Sequence, residues 1–192
     1  FLALYRSTGE VRWLLQASKL GYFLERNFKA PKAGILTATD NGTPVKPIRQ
    51  LDENIQAARF MNLLGHYTGK ENHKNFAKHI MRYLVDRSVA LSRITEEGIL
   101  LCDYEFTHNP IHMTVRGDEK ENDTQILRRI ALENAPWYAR IEFLDLAKKN
   151  AYNPDVKYPK LSKPAAFICT DSRCSFAIYT AKEFQETLNR FK

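Results

Sequence analysis

No stretch of the 192-residue chain reads as a membrane span or a disordered tract, and its 44% apolar content is that of an ordinary folded core. A glycine-rich phosphate loop is missing, as is any recognition-helix pattern or run of interleaved basic and aromatic residues. Lys and Arg number 29 against 22 Asp and Glu, a net charge of +7 with a pI near 9.3. The cations are scattered along helical stretches with acids between them, so the expectation is a solvated surface and not a nucleic-acid interface. Their densest group, Lys157 to Lys163, falls in a proline-containing loop. The five histidines lack metal-ligand spacing: His73 and His79 are six apart on a helix, and His108 and His112 flank a proline. They read as solvated or capping side chains, and no metal or other cofactor is expected. No motif by itself names a reaction.

What is present is a repeat. Thr8-Gly9 precedes a helical stretch that returns sixty residues later behind Thr68-Gly69, and Ala17, Leu20, Phe23 and Leu24 fall on Ala77, Ile80, Tyr83 and Leu84. The same apolar face is written twice. One helical hairpin cannot bury its stripe alone, so the period argues for stacked hairpins sharing a core.

Trp13, Leu14, Ala17, Leu20, Phe23, Leu24 and Phe28 recur at helical spacing over residues 11–28. Ile35 to Thr39 and Val45 to Ile48 are spaced for a short hairpin around Asp40-Asn41-Gly42-Thr43. Helical patterns resume from about Glu53 to Gly69, from Asn72 to Asp86, and over Ile99 to Phe106. At Pro110 the period changes. Ile111 to Val115 alternates like a strand, Asp123-Thr124 opens a helix, and Ala139 to Leu144 alternates again, a β-α-β unit. Ala165 to Cys169 and Ser175 to Tyr179 are further strand candidates, and Ala181 to Phe191 is a terminal helix. Free N–H groups between Gly117 and Thr124 would suit an anion, but Asp118, Glu119, Glu121 and Asp123 favour self-capping. The chain is therefore expected to be α+β, with helical hairpins over 1–107 and a small α/β domain over 108–192.

The Thr-Gly turns, the glycine-containing hairpin around Asp40 and Asn54 opening the next helix resemble the later hairpins of an (α/α)6 toroid. Val115-Arg116-Gly117-Asp118, then Asp123-Thr124-Gln125, then Ala166-Phe167-Ile168-Cys169 with Cys174, resemble the carboxyl end of spermatogenesis-associated protein 20-like proteins. In that family a thioredoxin-like domain precedes a toroid similar to those of sugar epimerases and six-hairpin glycosidases. The resemblance covers most of this chain and about the last third of the family's length. It implies a partial toroid whose open flank is covered by residues upstream, and an upstream thioredoxin-like site. Where the family tends to show a Pro-Ser-Gly-Asn-Ser-like helix opening, Leu51-Asp52-Glu53-Asn54-Ile55 matches only the Asn. Phe1 to Tyr5 reads as the end of an apolar helix without an N-cap, so the chain is expected to begin inside a longer protein, and the compartment stays open.

In such toroids, loops at one end line a funnel where paired Asp/Glu or His serve as acid and base and aromatics stack on sugar. The corresponding segment here runs from Lys32 to Asn54. Its Asp52 and Glu53 are the candidate catalytic pair, and they also suit a helix N-terminus. Asp40, Arg49 and Asn54 are candidate sugar ligands, with Trp13 or Tyr22 stacking; Asp40 in Asp-Asn-Gly equally suits a turn, and both aromatics suit a core. Cys169 and Cys174 form a pair of a spacing the family also shows. It reads as a small-loop disulfide, half of a zinc site lacking its second pair, or two reduced thiols, and is not a Cys-x-x-Cys redox motif. Arg173 beside Cys174 favours a thiolate. The leading expectation is a carbohydrate-processing or carbohydrate-binding scaffold, catalytically incomplete alone, that associates with the upstream part of its parent chain or dimerises through its open helical face. The alternative is a non-enzymatic interaction or redox-accessory module.

Overall fold

Two helix-to-helix junctions of one design account for the repeat. In the computed structural model, which describes residues 1–39, 41–42, 44–93, 96–145 and 156–191, α1 (Leu2–Thr8) gives way to α2 (Val11–Phe28), and α3 (Leu51–Thr68) to α4 (Glu71–Leu84). At the first junction Thr8 Oγ1 donates to Leu4 O at 2.7 Å and accepts from the Glu10 N–H at 3.1 Å. At the second, Thr68 Oγ1 donates to Leu64 O at 2.8 Å and accepts from the Lys70 N–H at 3.4 Å. Between them, Gly9 (φ 72°) and Gly69 (φ 64°) are left-handed, a conformation that a Cβ disfavours and that caps the last carbonyls. Threonine ends each helix and glycine turns the chain.

Among the described residues eight helices and a three-stranded mixed sheet make an α+β chain, which divides into two compact units. The first to describe is Leu15–His108. Here α3 and α4 form a hairpin whose core takes Ile55, Ala58, Met61 and Leu64 from one helix and Phe76, Ala77, Ile80 and Leu84 from the other. After the single turn α5 (Arg87–Ala90), α6 (Glu97–Thr107) packs on α3. Arg59 grips the buried Glu105 through Nε at 3.0 Å and NH2 at 2.8 Å, while Asn62 Nδ2 donates to Glu105 O at 2.8 Å.

The apolar face written twice is buried in both copies only at Ala17 and Ala77. Ala77, Ile80 and Leu84 are fully buried, whereas Leu20 and Phe23 are 38% and 54% exposed. The buried stripe of α2 in this unit runs instead through Ala17, Ser18 and Gly21, and Gly21 lies against Leu64 and Met61. Small side chains let that helix come close, and the rotation this imposes turns the larger ones outward.

His73 and His79 are buried and fully engaged, which corrects the expectation of solvated or capping histidines. Thr68 spends its hydroxyl proton on Leu64 O, so His73 Nδ1–H donates to Thr68 Oγ1 at 2.8 Å and His73 Nε2 accepts from Ser18 Oγ at 3.3 Å. Burial, followed by the nearby Lys70 charge, pushes the imidazole down to about 4. The unfolded chain therefore takes up this proton first, and the stability it contributes is present above pH 6.5 and lost as the pH falls toward 4. Going from pH 7.5 to pH 5 should cost wild type about 2 kcal/mol more than His73→Asn in urea unfolding. Equal pH dependence in the two proteins would refute the burial argument.

The second unit joins Phe1–Leu14 to Asn109–Lys192. In it β1 (Ile111–Arg116), α7 (Asn122–Asn134) and β2 (Ala139–Leu144) form a parallel crossover, and β3 (Ala165–Cys169) adds antiparallel to β1, giving the order β2-β1-β3. Met113, Val115, Ile141, Ala166 and Ile168 alternate onto one face and bury against Leu127, Ile130 and Ala131 of α7 and Phe184 and Leu188 of α8 (Ala181–Phe191). The intervening residues His112, Thr114, Arg140, Glu142, Phe167 and Cys169 share the opposite face, and they too are buried.

Two expected strand pairings are reduced to isolated contacts, for one reason. Ser175 to Tyr179 contributes only the single bridge Ala166↔Ile178, beside Cys169↔Cys174 just before it, because Ile168 N–H donates to Ser175 Oγ (3.1 Å) where a ladder would use a carbonyl. In the 35–48 segment Thr37 N–H donates to Ile48 O at 2.9 Å, but Ile48 N–H donates back to Thr37 Oγ1 at 3.2 Å. In both, a hydroxyl competes with the backbone and stops the ladder. Asp40 and Thr43, within the expected turn, lie outside the described residues.

Candidate functional site

The groove that Asp52 and Glu53 line lies in the Leu15–His108 unit, and Asn54 positions one of its walls. Fully buried, Asn54 accepts from the Ile35 N–H at 2.7 Å and donates from Nδ2 to Ile35 O at 3.1 Å and Gln50 O at 2.8 Å. From the other side, Gly34 N–H donates to His79 O at 3.1 Å and His79 Nε2 donates to Gly34 O at 3.2 Å. Burial pushes the His79 imidazole down, as do Lys29 and Arg82, whose NH2 donates to Nδ1 at 3.0 Å. Gly34 is at φ 79°, and a Cβ there would lie 2.8 Å from Asn54 Oδ1. Loop 30–37 is thereby clamped between α3 and α4.

The clamp sets Ile35, Leu36 and Thr37 along one wall of an open groove of about 540 Å³. Leu24 and Phe28 of α2 and Asp52, Glu53, Gln56 and Phe60 of α3 complete it. Glu53, Gln56 and Phe60 follow each other at helical spacing and so share a face. Asp52 is exposed and ion-paired to Arg93 at 3.0 Å, and Glu53 is exposed at the rim. The groove's lining is mainly apolar, with the rings of Phe28 and Phe60 beside the acid and amide side chains of Asp52, Glu53 and Gln56.

Of the candidates, Asp52 and Glu53 line this groove, whereas Asn54, expected as a sugar ligand, is fully buried with its amide spent on the loop backbone, and the others lie elsewhere. Arg49 is exposed, its guanidinium 5.6 Å from the Tyr83 ring, and Tyr83 OH donates to Arg49 O at 3.1 Å. Tyr22 packs on His73 with ring centroids 5.0 Å apart and carries Lys70 Nζ 5.4 Å above it. Trp13 belongs to the other unit, stacked on Phe1 at 6.1 Å with Arg12 at 4.7 Å. Asp40 lies outside the described residues. Sequence reasoning missed Gln56 and Phe60, although their spacing from Glu53 was readable.

A second cluster, in the sheet unit, was also missed. Glu142 Oε2 receives Arg140 NH2 and His112 Nε2, each at 2.7 Å, and Tyr5 OH donates to Glu142 Oε1 at 3.3 Å. Thr114 Oγ1 lies 3.0 Å from His112 Nε2 and 2.7 Å from Tyr158 OH. The signal was present as His112-x-Thr114 and Arg140-x-Glu142 inside strand patterns. Next to it, Cys169 and Cys174 are joined as a disulfide.

At the end of β1, Asp118 Oδ1 accepts from the Lys120 N–H at 2.9 Å, and Arg128 donates to Thr8 O at 3.0 Å while lying 4.3 Å over the Phe143 ring. Among the described residues no group of three or more His, Cys, Asp or Glu is placed to hold a metal ion, and no helix is long and apolar enough to cross a membrane. In comparison with known proteins, no family model matches the chain and no curated protein is significantly similar to it.

Proposed function

We propose that the Leu15–His108 unit is a carbohydrate-binding scaffold of a thioredoxin-like plus toroid protein, with the groove between α2, loop 30–37 and α3 as its sugar site. The observation that carries this reading is that Asp52, Glu53 and Gln56 line the same groove as Phe28 and Phe60. A pyranose ring has an apolar face and a hydroxyl-rich edge, and this groove offers a partner for each. Asp52 is ion-paired to Arg93 but stays exposed, and Glu53 beside it is exposed as well. Acid–base cleavage needs two carboxyl groups facing one bond across about 5–10 Å, and neighbours on a helix diverge by about 100°. Binding, and not a complete catalytic pair, is what these residues supply.

The test is a calorimetric or ligand-observed NMR screen of neutral mono- and disaccharides against the folded chain. Binding is expected, with Glu53→Ala and Phe60→Ala each weakening it about tenfold, the loss of about 1.4 kcal/mol typical of one hydrogen bond or stacking contact. Absence of binding by the folded protein, or affinity untouched by both substitutions, would defeat the proposal.

A further inference from the structure

The disulfide connects two environments. Thr170 N–H donates to Arg173 O at 2.8 Å and Ser175 N–H to Ile168 O at 2.8 Å. Cys169 and Cys174 are therefore opposed at the non-hydrogen-bonded position between them, where antiparallel chains come closest and side chains share a face. The Cys169 side is buried at 4% exposure, whereas Cys174 is exposed at the hairpin's edge. A thiolate arriving from solvent reaches the Cys174 sulfur, and the buried sulfur is the one expelled.

Cys169 is also the register partner of His112 on β1, so their side chains stand on one face with Cβ atoms about 4.5–5.5 Å apart. The groups around His112 are Thr114 and Arg116 on its own strand, Arg140 and Glu142 on β2, Cys169 on β3, Tyr5 on α1, and Tyr158. Glu142 Oε2, 2.7 Å from His112 Nε2, holds the imidazole in place. A thiolate released among buried side chains is poorly solvated and takes up a proton, and His112 is the ionisable ring opposite it in register.

We propose that Cys169–Cys174 is a thiol–disulfide exchange site for a dithiol reductant, entered at Cys174, with His112 positioned to protonate Cys169 as it leaves. The reductant's thiolate attacks Cys174 Sγ, the S–S bond breaks, and a mixed disulfide forms on Cys174. The bonding electron pair departs on Cys169 Sγ, which becomes a thiol by taking a proton from His112. The reductant's second thiolate then displaces Cys174, so the dithiol is oxidised by two electrons and the protein disulfide reduced by two. This site lies in the other unit from the proposed sugar groove, and neither reading depends on the other.

Cys102 is an internal control. It is buried, its Sγ donates to Ile55 O at 3.7 Å, and burial first and Glu105 next push the thiol up to about 12, so it should resist alkylation in the folded chain. Air-oxidised protein, denatured and alkylated, should show one thiol; three thiols would overturn the proposal outright. Oxidised protein treated with glutathione, acid-quenched and mapped by mass spectrometry should carry glutathione on Cys174, and an adduct mainly on Cys169, or no adduct, would overturn it. Reduction by dithiothreitol, followed from pH 6 to 9, should be about tenfold slower in His112→Gln at pH 7, and the variant's rate should rise with pH as the reductant's thiolate fraction alone dictates. Identical rates and profiles in a folded His112→Gln would remove His112 from the mechanism. The adduct mapping on the unsubstituted chain decides the site even if that variant does not fold.

Discussion

Replacing Glu142 by alanine should lower the unfolding free energy by about 3–5 kcal/mol, the usual cost of removing one partner from a buried ionic set. Glu142 is 3% exposed and Arg140 4%, so little water reaches either side chain. The carboxylate accepts from Arg140, His112 and Tyr5, and its removal leaves the Arg140 guanidinium buried without that compensating charge. Glu142→Gln keeps the shape and part of the hydrogen bonding and should fall between wild type and alanine. The decisive comparison is Arg140→Leu/Glu142→Leu. If the buried charge is what costs, the double variant should be more stable than Glu142→Ala despite carrying two substitutions, since apolar replacement of a whole buried pair is often near neutral. Urea unfolding followed by circular dichroism measures all of these. A Glu142→Ala loss below about 1 kcal/mol, the surface-pair range, would mean that the cluster is effectively solvated.

That cluster explains why half of the sheet was hard to see in the sequence. Alternation placed β1 and β2, because Met113, Val115 and Ile141 are apolar and their neighbours are not, and Asp123-Thr124 marked the start of α7 between them. The same alternation assigns His112, Thr114, Arg140 and Glu142 to solvent, whereas they are buried against one another. Hydropathy registers that a residue is polar; it does not register that its partner lies one strand away. The helical unit shows the converse. Thr68-Gly69 announced a junction because a hydroxyl cap and a left-handed glycine leave a local signature. The buried stripe of α2 was legible in part: Leu14 and Ala17 fell on the expected face, whereas Ser18 and Gly21 carry little hydrophobicity, and close approach selected them over Leu20 and Phe23. The groove was legible in part. Asp52 and Glu53 mark a helix start and Gln56 and Phe60 follow at helical spacing, but which loop walls them in depends on Asn54 reaching nineteen residues back along the chain.

Asn54→Ala should cost about 3 kcal/mol and release that wall. The side chain satisfies the Ile35 N–H and supplies protons to Ile35 O and Gln50 O, all in a place with no exposure. Alanine abandons the Ile35 donor in the interior, at about 1–3 kcal/mol for a buried unsatisfied group, and opens a small cavity besides. Asn54→Asp separates the two halves of the clamp. A carboxylate still accepts from Ile35 N–H but repels the carbonyls of Ile35 and Gln50, so it should destabilise at least as much as alanine although it is nearly isosteric. Amide exchange gives a readout that global stability does not. Under native conditions the Ile35 N–H should exchange slowly in wild type and at least tenfold faster in Asn54→Ala, while the Gly34 N–H, bonded to His79 O, should change less. Slow exchange at Ile35 in the alanine variant would show that the loop is held by Gly34 and His79 alone. In that event sugar affinity, if it depends on a fixed wall, should survive Asn54→Ala and respond to substitution of His79 instead.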